Sequence, residues 1–157
     1  MNGSLEKTVR AVVETVLATK NELTLADAEA LSAAVERRAK EMGMKIVTAV
    51  CDAGGNPLLL HRMEGAFIAS CDIAANKAFT SVALKMPTSD LATLAAPGGS
   101  LYGIQFTNNG RIVIFGGGVP LVRGGVIVGG FGVSGGTAQQ DTELGEYAKR
   151  YFTEALT

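Results

Sequence analysis

Most of the glycines in this 157-residue chain are concentrated in one stretch, and that distribution limits the folds it can adopt. The chain has 20 glycines, and the majority lie between Gly98 and Gly136. No helical periodicity fits that stretch, so we expect strands and turns there. Helical patterns precede and follow it. The sequence therefore predicts an α+β fold, and its length with 47% hydrophobic residues predicts one domain over residues 1–157.

Apolar residues at helical spacing predict five helices. The first carries a stripe made of Leu5, Val9, Val12, Val13, Val16 and Leu17. Thr24 can cap the second helix together with Asp27, and Gly43 supplies its end. The predicted helices span residues 5–17, 25–42, 66–85, 88–95 and 139–156.

Runs of β-branched and aliphatic residues predict the strands. Residues 45–51 and 58–60 flank a turn and form a predicted hairpin. Neither strand alternates between apolar and polar residues, so we expect helices over both faces of the sheet. Three further strands are predicted as an antiparallel meander, with a tight turn at residues 123–125 between the last two. They span residues 111–115, 119–122 and 126–133.

Charge and composition exclude several classes of partner. The 14 basic and 15 acidic side chains nearly cancel and form no basic cluster, which argues against nucleic acid and anionic membranes. No segment approaches about 18 uninterrupted apolar residues, and the N-terminal residues lack the order of a secretory signal. We therefore predict a soluble cytoplasmic protein. Cys51 and Cys71 are expected to be reduced core residues.

Two glycine-rich motifs resemble parts of nucleotide-binding sites, but neither has all the residues that such a site needs. Residues 130–135 match the glycine spacing of a dinucleotide site, but that site needs a second parallel strand and an acidic residue further on. We expect these glycines to permit close packing instead. Residues 116–118 lack the lysine of a phosphate loop, so they predict a bend or a close approach of backbone to ligand. Residues 134–137 could present amide groups to an anion at a helix N-terminus.

Few side chains suggest chemistry. His61 is the only histidine, and we expect a structural hydrogen bond first, with iron ligation or acid/base chemistry as the alternative. Strand geometry places it opposite Leu60 and Arg62. Arg62 can clamp a ligand carboxylate or form an ion pair with Glu64, Asp52 or Asp72. Lys77 is expected on a solvated face, with a ligand partner as the alternative. No nucleophile triad or carboxylate dyad is recognisable, so no catalytic residue is predicted.

Several motifs in the same order resemble the GlcG/HbpS-like family. They are Val50-Cys51-Asp52-Ala53-Gly54-Gly55-Asn56, Arg62-Met63-Glu64-Gly65 and Asn76-Lys77-Ala78-Phe79-Thr80. Three later motifs look like the branch that forms the C-terminal domain of PduO-type corrinoid adenosyltransferases. They are Pro97-Gly98-Gly99-Ser100-Leu101-Tyr102-Gly103, Phe115-Gly116-Gly117-Gly118-Val119-Pro120-Leu121, and Gly132-Val133-Ser134-Gly135-Gly136 with Asp141 beyond it.

This resemblance implies a profilin-like antiparallel sheet of about five strands with helices on both faces, and assembly into dimers up to octamers. It also implies a heme-binding accessory protein, linked to corrinoid-dependent diol or glycerol metabolism, whose slot a subunit interface can complete. The site residues it suggests are His61, Arg62, Lys77, Gly117, Gly118, Pro120, Ser134 and Gly135, with His61 as a possible iron ligand. Two alternatives remain: an enzyme or sensor that binds a hydroxy acid or other small anion near Arg62 and residues 134–137, and a structural assembly protein.

Overall fold

The computed structural model describes the backbone of residues 2–157, and the side chains except those of residues 2, 15 and 17–21. Within these described residues, five α-helices, four β-strands and two short 3-10 turns follow one another. In order they are α1 (Asn2–Asn21), α2 (Leu25–Glu41), β1 (Val47–Asp52), β2 (Pro57–Arg62), α3 (Ser70–Ala83), α4 (Thr88–Leu94), the 3-10 turns Ile104–Phe106 and Asn108–Gly110, β3 (Gly118–Arg123), β4 (Val126–Ser134) and α5 (Ala138–Ala155).

Side-chain caps fix where two of the long helices begin. At α2 the Thr24 hydroxyl accepts a hydrogen bond from the amide of Asp27, and the Asp27 carboxylate accepts one from the amide of Thr24. Thr137 and Gln140 make the same reciprocal pair at α5. Each cap satisfies amides that a helix otherwise leaves without partners. The cap predicted for α2 is confirmed.

The four strands form one antiparallel sheet in the order β2-β1-β4-β3. The β1–β2 turn is held by the Asp52 carboxylate, which accepts hydrogen bonds from the amides of Gly54 and Asn56 at 2.8 and 2.9 Å. Gly124 and Gly125 both have positive φ and make the β3–β4 turn, as glycines do in tight hairpins. Both predicted turns are confirmed.

The sheet has four strands and not about five, because residues 111–115 do not form the predicted strand. This segment runs along α3, where the Thr80 hydroxyl accepts from the Val113 amide at 3.1 Å. Its proton is shared between the carbonyl of Asn76, at 2.7 Å, and that of Arg111, at 3.2 Å. One helical side chain therefore replaces the neighbouring strand as hydrogen-bond partner. The apolar run still buries Ile112 and Val113, which explains why it resembles a strand in sequence.

Helices cover both faces of the sheet, as the sequence predicts. α3 packs on one face, where it contacts all four strands, while α2 and α5 pack on the other. The core cluster under α3 consists of Val47, Ala49, Cys51, Ala66, Ala74 and Ala78. The larger cluster on the other face includes Leu31, Val35, Val50, Leu121, Phe131, Val133, Leu144 and Phe152. The domain is thus an α+β layer structure around one central sheet.

Two glycines of β4 let α3 approach the sheet at backbone distance. A Cβ added to Gly132 would overlap the carbonyl oxygen of Ala74, and one added to Gly130 would overlap that of Ala78. At these two points the helix and the strand approach each other through backbone atoms. This confirms that the glycines in residues 130–135 serve packing, and every strand pair that the structure describes is antiparallel.

The first helix differs from the rest of the molecule. Among the residues that the structure describes, α1 has no extensive packing contact with another helix or strand. Its predicted apolar stripe is exposed, with Leu5 at 68% and Val9 at 54% of their possible exposure. The side chain of Leu17, also assigned to that stripe, lies outside the described residues. The helix predicted over 5–17 is confirmed and extends further at both ends.

Candidate functional site

The only histidine stands at an edge of the sheet, hydrogen-bonded to a carboxylate from α2. In the β1–β2 register His61 lies opposite Thr48, so its side chain projects on the α2 side. There Nδ1 of His61 lies 2.9 Å from Oε1 of Glu36. The side chains of His61 and Glu36 retain 42% and 22% of their exposure. A carboxylate that binds Nδ1–H leaves the Nε2 lone pair available for another partner.

A polar cleft of about 320 Å³ surrounds this pair and opens to the outside. It joins the histidine to two cationic, two acidic and two apolar side chains. Its lining consists of Glu36, Lys40, Leu60, His61, Arg62, Met63 and Glu64. We call this the His61 cleft. Its two cations and two acids balance in formal charge, so the cleft combines an imidazole and apolar edges with charged groups of both signs.

Arg62 projects toward the α3 side of the sheet, opposite to His61 as predicted. Its Nη2 donates to the carbonyl oxygen of Ala66 at 3.0 Å, in the loop that precedes α3. The ion pair expected with Glu64, Asp52 or Asp72 does not occur among the described residues, where Asp52 instead holds its own turn. Ser134 lies in the same cross-strand row as Arg62, with Val47 between them.

Lys77 is buried, which corrects the expectation that it lies on a solvated face. Its Nζ donates to Oδ2 of Asp141 at 2.7 Å and to the carbonyl oxygen of Val133 at 2.9 Å. The ring of Phe115 covers the ammonium, with its centroid 4.8 Å from Nζ. Burial lowers the pKa of Lys77, and the neighbouring Asp141 carboxylate opposes that shift. Lys77 points inward, where β4 offers the carbonyl of Val133 and the first turn of α5 offers the carboxylate of Asp141.

The predicted glycine and proline positions surround this ion pair or belong to the sheet. A Cβ on Gly117, which has a φ of 116°, would lie 2.8 Å from Nζ of Lys77. Gly118 donates its amide to the hydroxyl of Thr88 at 2.9 Å.

Pro120 lies on β3, an edge strand, where a residue without an amide hydrogen is tolerated. Ser134 donates its hydroxyl to that of Ser70 at 3.1 Å. Gly135 passes close to the backbone of residues 45 and 46.

The chain's own side chains already bind the amide groups at the N-terminus of α5. The Gly136 amide donates to Oδ1 of Asp141 at 2.9 Å, and the Thr137 amide donates to Oε1 of Gln140 at 3.0 Å. Asp141 therefore occupies the place where an external carboxylate was expected. This observation removes the support for an anion site at residues 134–137.

The structure divides the predicted site residues into two groups. His61 and Arg62 line the His61 cleft, whereas Lys77, Gly117 and Ser134 belong to the buried layer around Asp141. Sequence reasoning missed Glu36 as the partner of His61, because nothing in the sequence of α2 links it to a strand 25 residues later. Asp141 had a weak signal, since it is an acid in the first turn of a helix that follows two glycines.

Other metal chemistry finds no support in the described residues. No group of three or more His, Cys, Asp and Glu side chains there could hold a metal ion. Both cysteines are free; Cys51 is buried as predicted, whereas Cys71 is only half-buried. Burial raises the pKa of Cys51 to about 11, so its thiol stays protonated near neutral pH. None of the described helices combines the length and apolar content needed to cross a membrane.

The family model described as "haem degrading protein HbpS-like" matches residues 23–149. The chain belongs to the HbpS-like family. The family resemblance inferred from the sequence motifs is thereby confirmed. The matched region of this HbpS-like chain contains the whole sheet and the His61 cleft, while α1 precedes it.

Three relatives of this HbpS-like chain show how similar the domain is to known proteins. An uncharacterized 15.0 kDa protein of Citrobacter freundii, from the dhaT-dhaS intergenic region, is 48% identical over 132 residues, covering 84% of this chain and 93% of that protein. The corrinoid adenosyltransferase PduO of Salmonella typhimurium is 36% identical over 126 residues. The aligned region covers 80% of this chain but only 38% of that enzyme. The structure of a PduOC:heme complex matches with a TM-score of 0.79 and 36% identity, covering 82% of this chain and 94% of that one.

Proposed function

We propose that this protein is a small heme-binding accessory protein that holds the tetrapyrrole at the His61 cleft, with His61 as axial ligand. The observation that carries the proposal is the contact of 2.9 Å between Glu36 and Nδ1 of His61. Metal-binding histidines usually donate their second ring nitrogen to a carboxylate or carbonyl, which fixes the ring and directs the other nitrogen to the metal. His61 has this arrangement in a half-exposed position.

The walls of the cleft fit the remaining needs of a heme. Its macrocycle requires apolar contact, which Met63 can give, and its propionates require cations. Lys40 can give one inside the cleft, and Arg62 can give one at the rim once its guanidinium leaves the Ala66 carbonyl. When bound, heme supplies redox and ligand-binding chemistry through its iron. The protein's part is to hold and orient the group. The similarity to a PduOC:heme complex supports the same ligand class.

The His61 cleft is too open to enclose a macrocycle within one chain, so we propose that a second copy closes it. Large apolar side chains lie exposed elsewhere on the domain, including Phe67, Ile68 and Phe106 at 70%, 86% and 83%. Exposed apolar surface of this kind is typical of association surfaces. We propose an assembly from dimer to octamer, with each subunit in the profilin-like arrangement and the protein in the cytoplasm.

A connection with corrinoid-dependent diol or glycerol metabolism is also proposed. Its support is the similarity to a corrinoid adenosyltransferase, of which this chain resembles one part.

Hemin titration tests the proposal. We expect hemin to give a Soret band with the protein, and His61→Ala to shift the band maximum and weaken binding by about tenfold or more. Arg62→Met should weaken binding without shifting the maximum, because it removes a propionate partner and leaves the iron ligand in place.

Glu64→Gln is the matched control, since it changes a charge on the same rim of the cleft without removing a proposed ligand or cation. An unchanged Soret maximum and unchanged affinity in His61→Ala would show that another residue is the axial ligand. Failure of the wild-type protein to bind hemin at all would reject the function itself.

A further inference from the structure

A small cavity of about 120 Å³ lies between α3 and the edge strand β2, on the α3 side of the sheet. Small side chains leave this space unfilled. α3 contributes Ala75 and Ala78 to its walls, and β1 contributes Ala49 and Cys51. α3 lies mainly over β4 and β1, so it covers the edge strand least. We call this cavity the Cys51 pocket; its main lining residues are Ala49, Cys51, Leu60, Ala75, Ala78 and Arg111.

The floor of the Cys51 pocket is apolar and uncharged. Ala49, Cys51 and Ala78 are each at most 4% exposed. Burial raises the pKa of Cys51 to about 11, so its thiol is neutral and behaves as a small apolar group. An apolar protein cavity of about 150 Å³ can bind benzene. The slightly smaller Cys51 pocket therefore suits a hydrocarbon chain of about three or four carbon atoms.

Arg111 is the only charged side chain among the lining residues, and it lies exposed at the mouth. Its Cζ is 3.6 Å from the ring centroid of Phe79, and its Nε donates to Oδ1 of Asn76 at 3.4 Å. These two contacts hold the guanidinium in place. In the part of the chain that the structure describes, no carboxylate pairs with Arg111 and its two Nη groups have no hydrogen-bond partner. The pocket thus has a positioned cation whose Nη groups remain available.

We propose that the Cys51 pocket binds a short-chain monocarboxylate, with the hydrocarbon chain inside and the carboxylate on Arg111. One cation beside an uncharged apolar interior matches a ligand with one negative charge at the end of an apolar chain. A phosphate or a dicarboxylate would bring a second charge that the apolar walls cannot compensate. Asp52 follows Cys51 in the sequence, but its carboxylate binds the amides of its own turn and does not line the pocket.

Saturation-transfer NMR with sodium butyrate and the full chain tests this proposal. We expect the butyrate methyl protons to be saturated by the protein, and Arg111→Gln to weaken butyrate binding by about tenfold or more, because it removes the charged partner. Ala75→Leu should abolish binding, since the larger side chain fills the pocket. Butyramide, the neutral analogue, should bind the wild type about tenfold more weakly than butyrate and should not distinguish it from Arg111→Gln.

Arg150→Gln is the matched control, because it removes an exposed arginine from α5 on the other face of the sheet. It should bind butyrate like the wild type. Equal affinity of butyrate for the wild type and Arg111→Gln would overturn the proposal, as would absence of saturation with the wild type. Unchanged binding by a folded Ala75→Leu would also overturn it, because butyrate would then lie elsewhere.

Hemin titration separates this site from the His61 cleft. Arg111→Gln should keep the Soret maximum and the hemin affinity of the wild type, whichever result butyrate gives. If Arg111→Gln lost hemin affinity and the wild type bound no butyrate, the Cys51 pocket would be part of the heme site and the monocarboxylate proposal would be wrong.

Discussion

A buried ion pair and a half-exposed hydrogen-bonded pair have similar contact distances but lie in very different surroundings. Nζ of Lys77 is 2.7 Å from Asp141, and Nδ1 of His61 is 2.9 Å from Glu36. The side chains of the first pair are 0% and 3% exposed, whereas those of the second are 42% and 22% exposed. Distance alone would assign them equal roles. The difference in burial shows that the first pair belongs to the core of the fold and that the second is accessible from solvent.

The remaining hydrogen-bonding groups of each pair agree with this distinction. Lys77 directs its ammonium at a carboxylate, a carbonyl and an aromatic face, and Asp141 also accepts the amide of Gly136. These groups have protein partners and hold three segments of chain together. His61, in contrast, binds Glu36 through one nitrogen in an open cleft.

Breaking the buried pair should have the largest effect on stability. In Lys77→Met, the Asp141 carboxylate stays buried without its cation, and we expect a loss of about 3–5 kcal/mol in the free energy of unfolding. Urea denaturation measures this loss, with the slope m used to check that the unfolded state is unchanged.

The double variant Lys77→Met/Asp141→Asn is the matched control. It removes both charges and keeps an oxygen that can accept the Gly136 amide, so it should recover much of the stability. A single variant that loses less than about 1 kcal/mol would mean that water reaches Asp141, contrary to the buried pair described above.

The pair Asp27–Arg123 has intermediate burial and should give an intermediate effect. Its side chains are 20% and 13% exposed, at 3.2 Å. Burial alone would raise the pKa of Asp27, but hydrogen bonds from Thr24 and Arg123 outweigh it and hold the pKa below the usual carboxyl value. We expect Asp27→Asn to cost about 1–2 kcal/mol at neutral pH.

The sign of the pH dependence follows from that lowered pKa. A carboxyl group whose pKa falls on folding stabilises the protein above its unfolded pKa of about 3.9, and this contribution is lost as the pH falls through the folded pKa. The stability difference between the wild type and Asp27→Asn should therefore shrink in acid, below about pH 4. A difference that stays constant from neutral pH to acid would contradict the lowered pKa. Urea titrations at several pH values measure it.

The parts of the fold that local signals determine were predictable from sequence. The capping pair of Thr24 and Asp27 and the turn at Gly124-Gly125 involve neighbours in the chain, so their chemistry can be read from the order of residues. The segment 111–115 was not, because its partner is the Thr80 hydroxyl on a helix 31 residues earlier. Its apolar residues predict burial correctly and strand pairing incorrectly.

The candidate site also has parts that could be predicted from sequence and parts that could not. Alternation along β2 predicts that His61 and Arg62 project to opposite faces, and the structure confirms this. The burial of Lys77 depends on Asp141, 64 residues away, and on glycine backbone that leaves room for the ammonium. A lysine on a helix is normally expected to be exposed, and no residue near Lys77 in the sequence indicates the distant partner Asp141. The exposed position predicted for Lys77 was therefore wrong.

Removing the exposed pair should have the smallest effect on stability. His61→Ala and Glu36→Gln are each expected to change the free energy of unfolding by less than about 1 kcal/mol, because solvent screens a half-exposed pair and can hydrate the partner that remains. Urea denaturation without hemin measures this directly. Lys77→Met, which is expected to lose much more stability, serves as the comparison. A loss above about 2 kcal/mol in His61→Ala would show that its hydrogen bond to Glu36 supports the fold. A small loss combined with a shifted Soret maximum would separate ligand binding from stability at this residue.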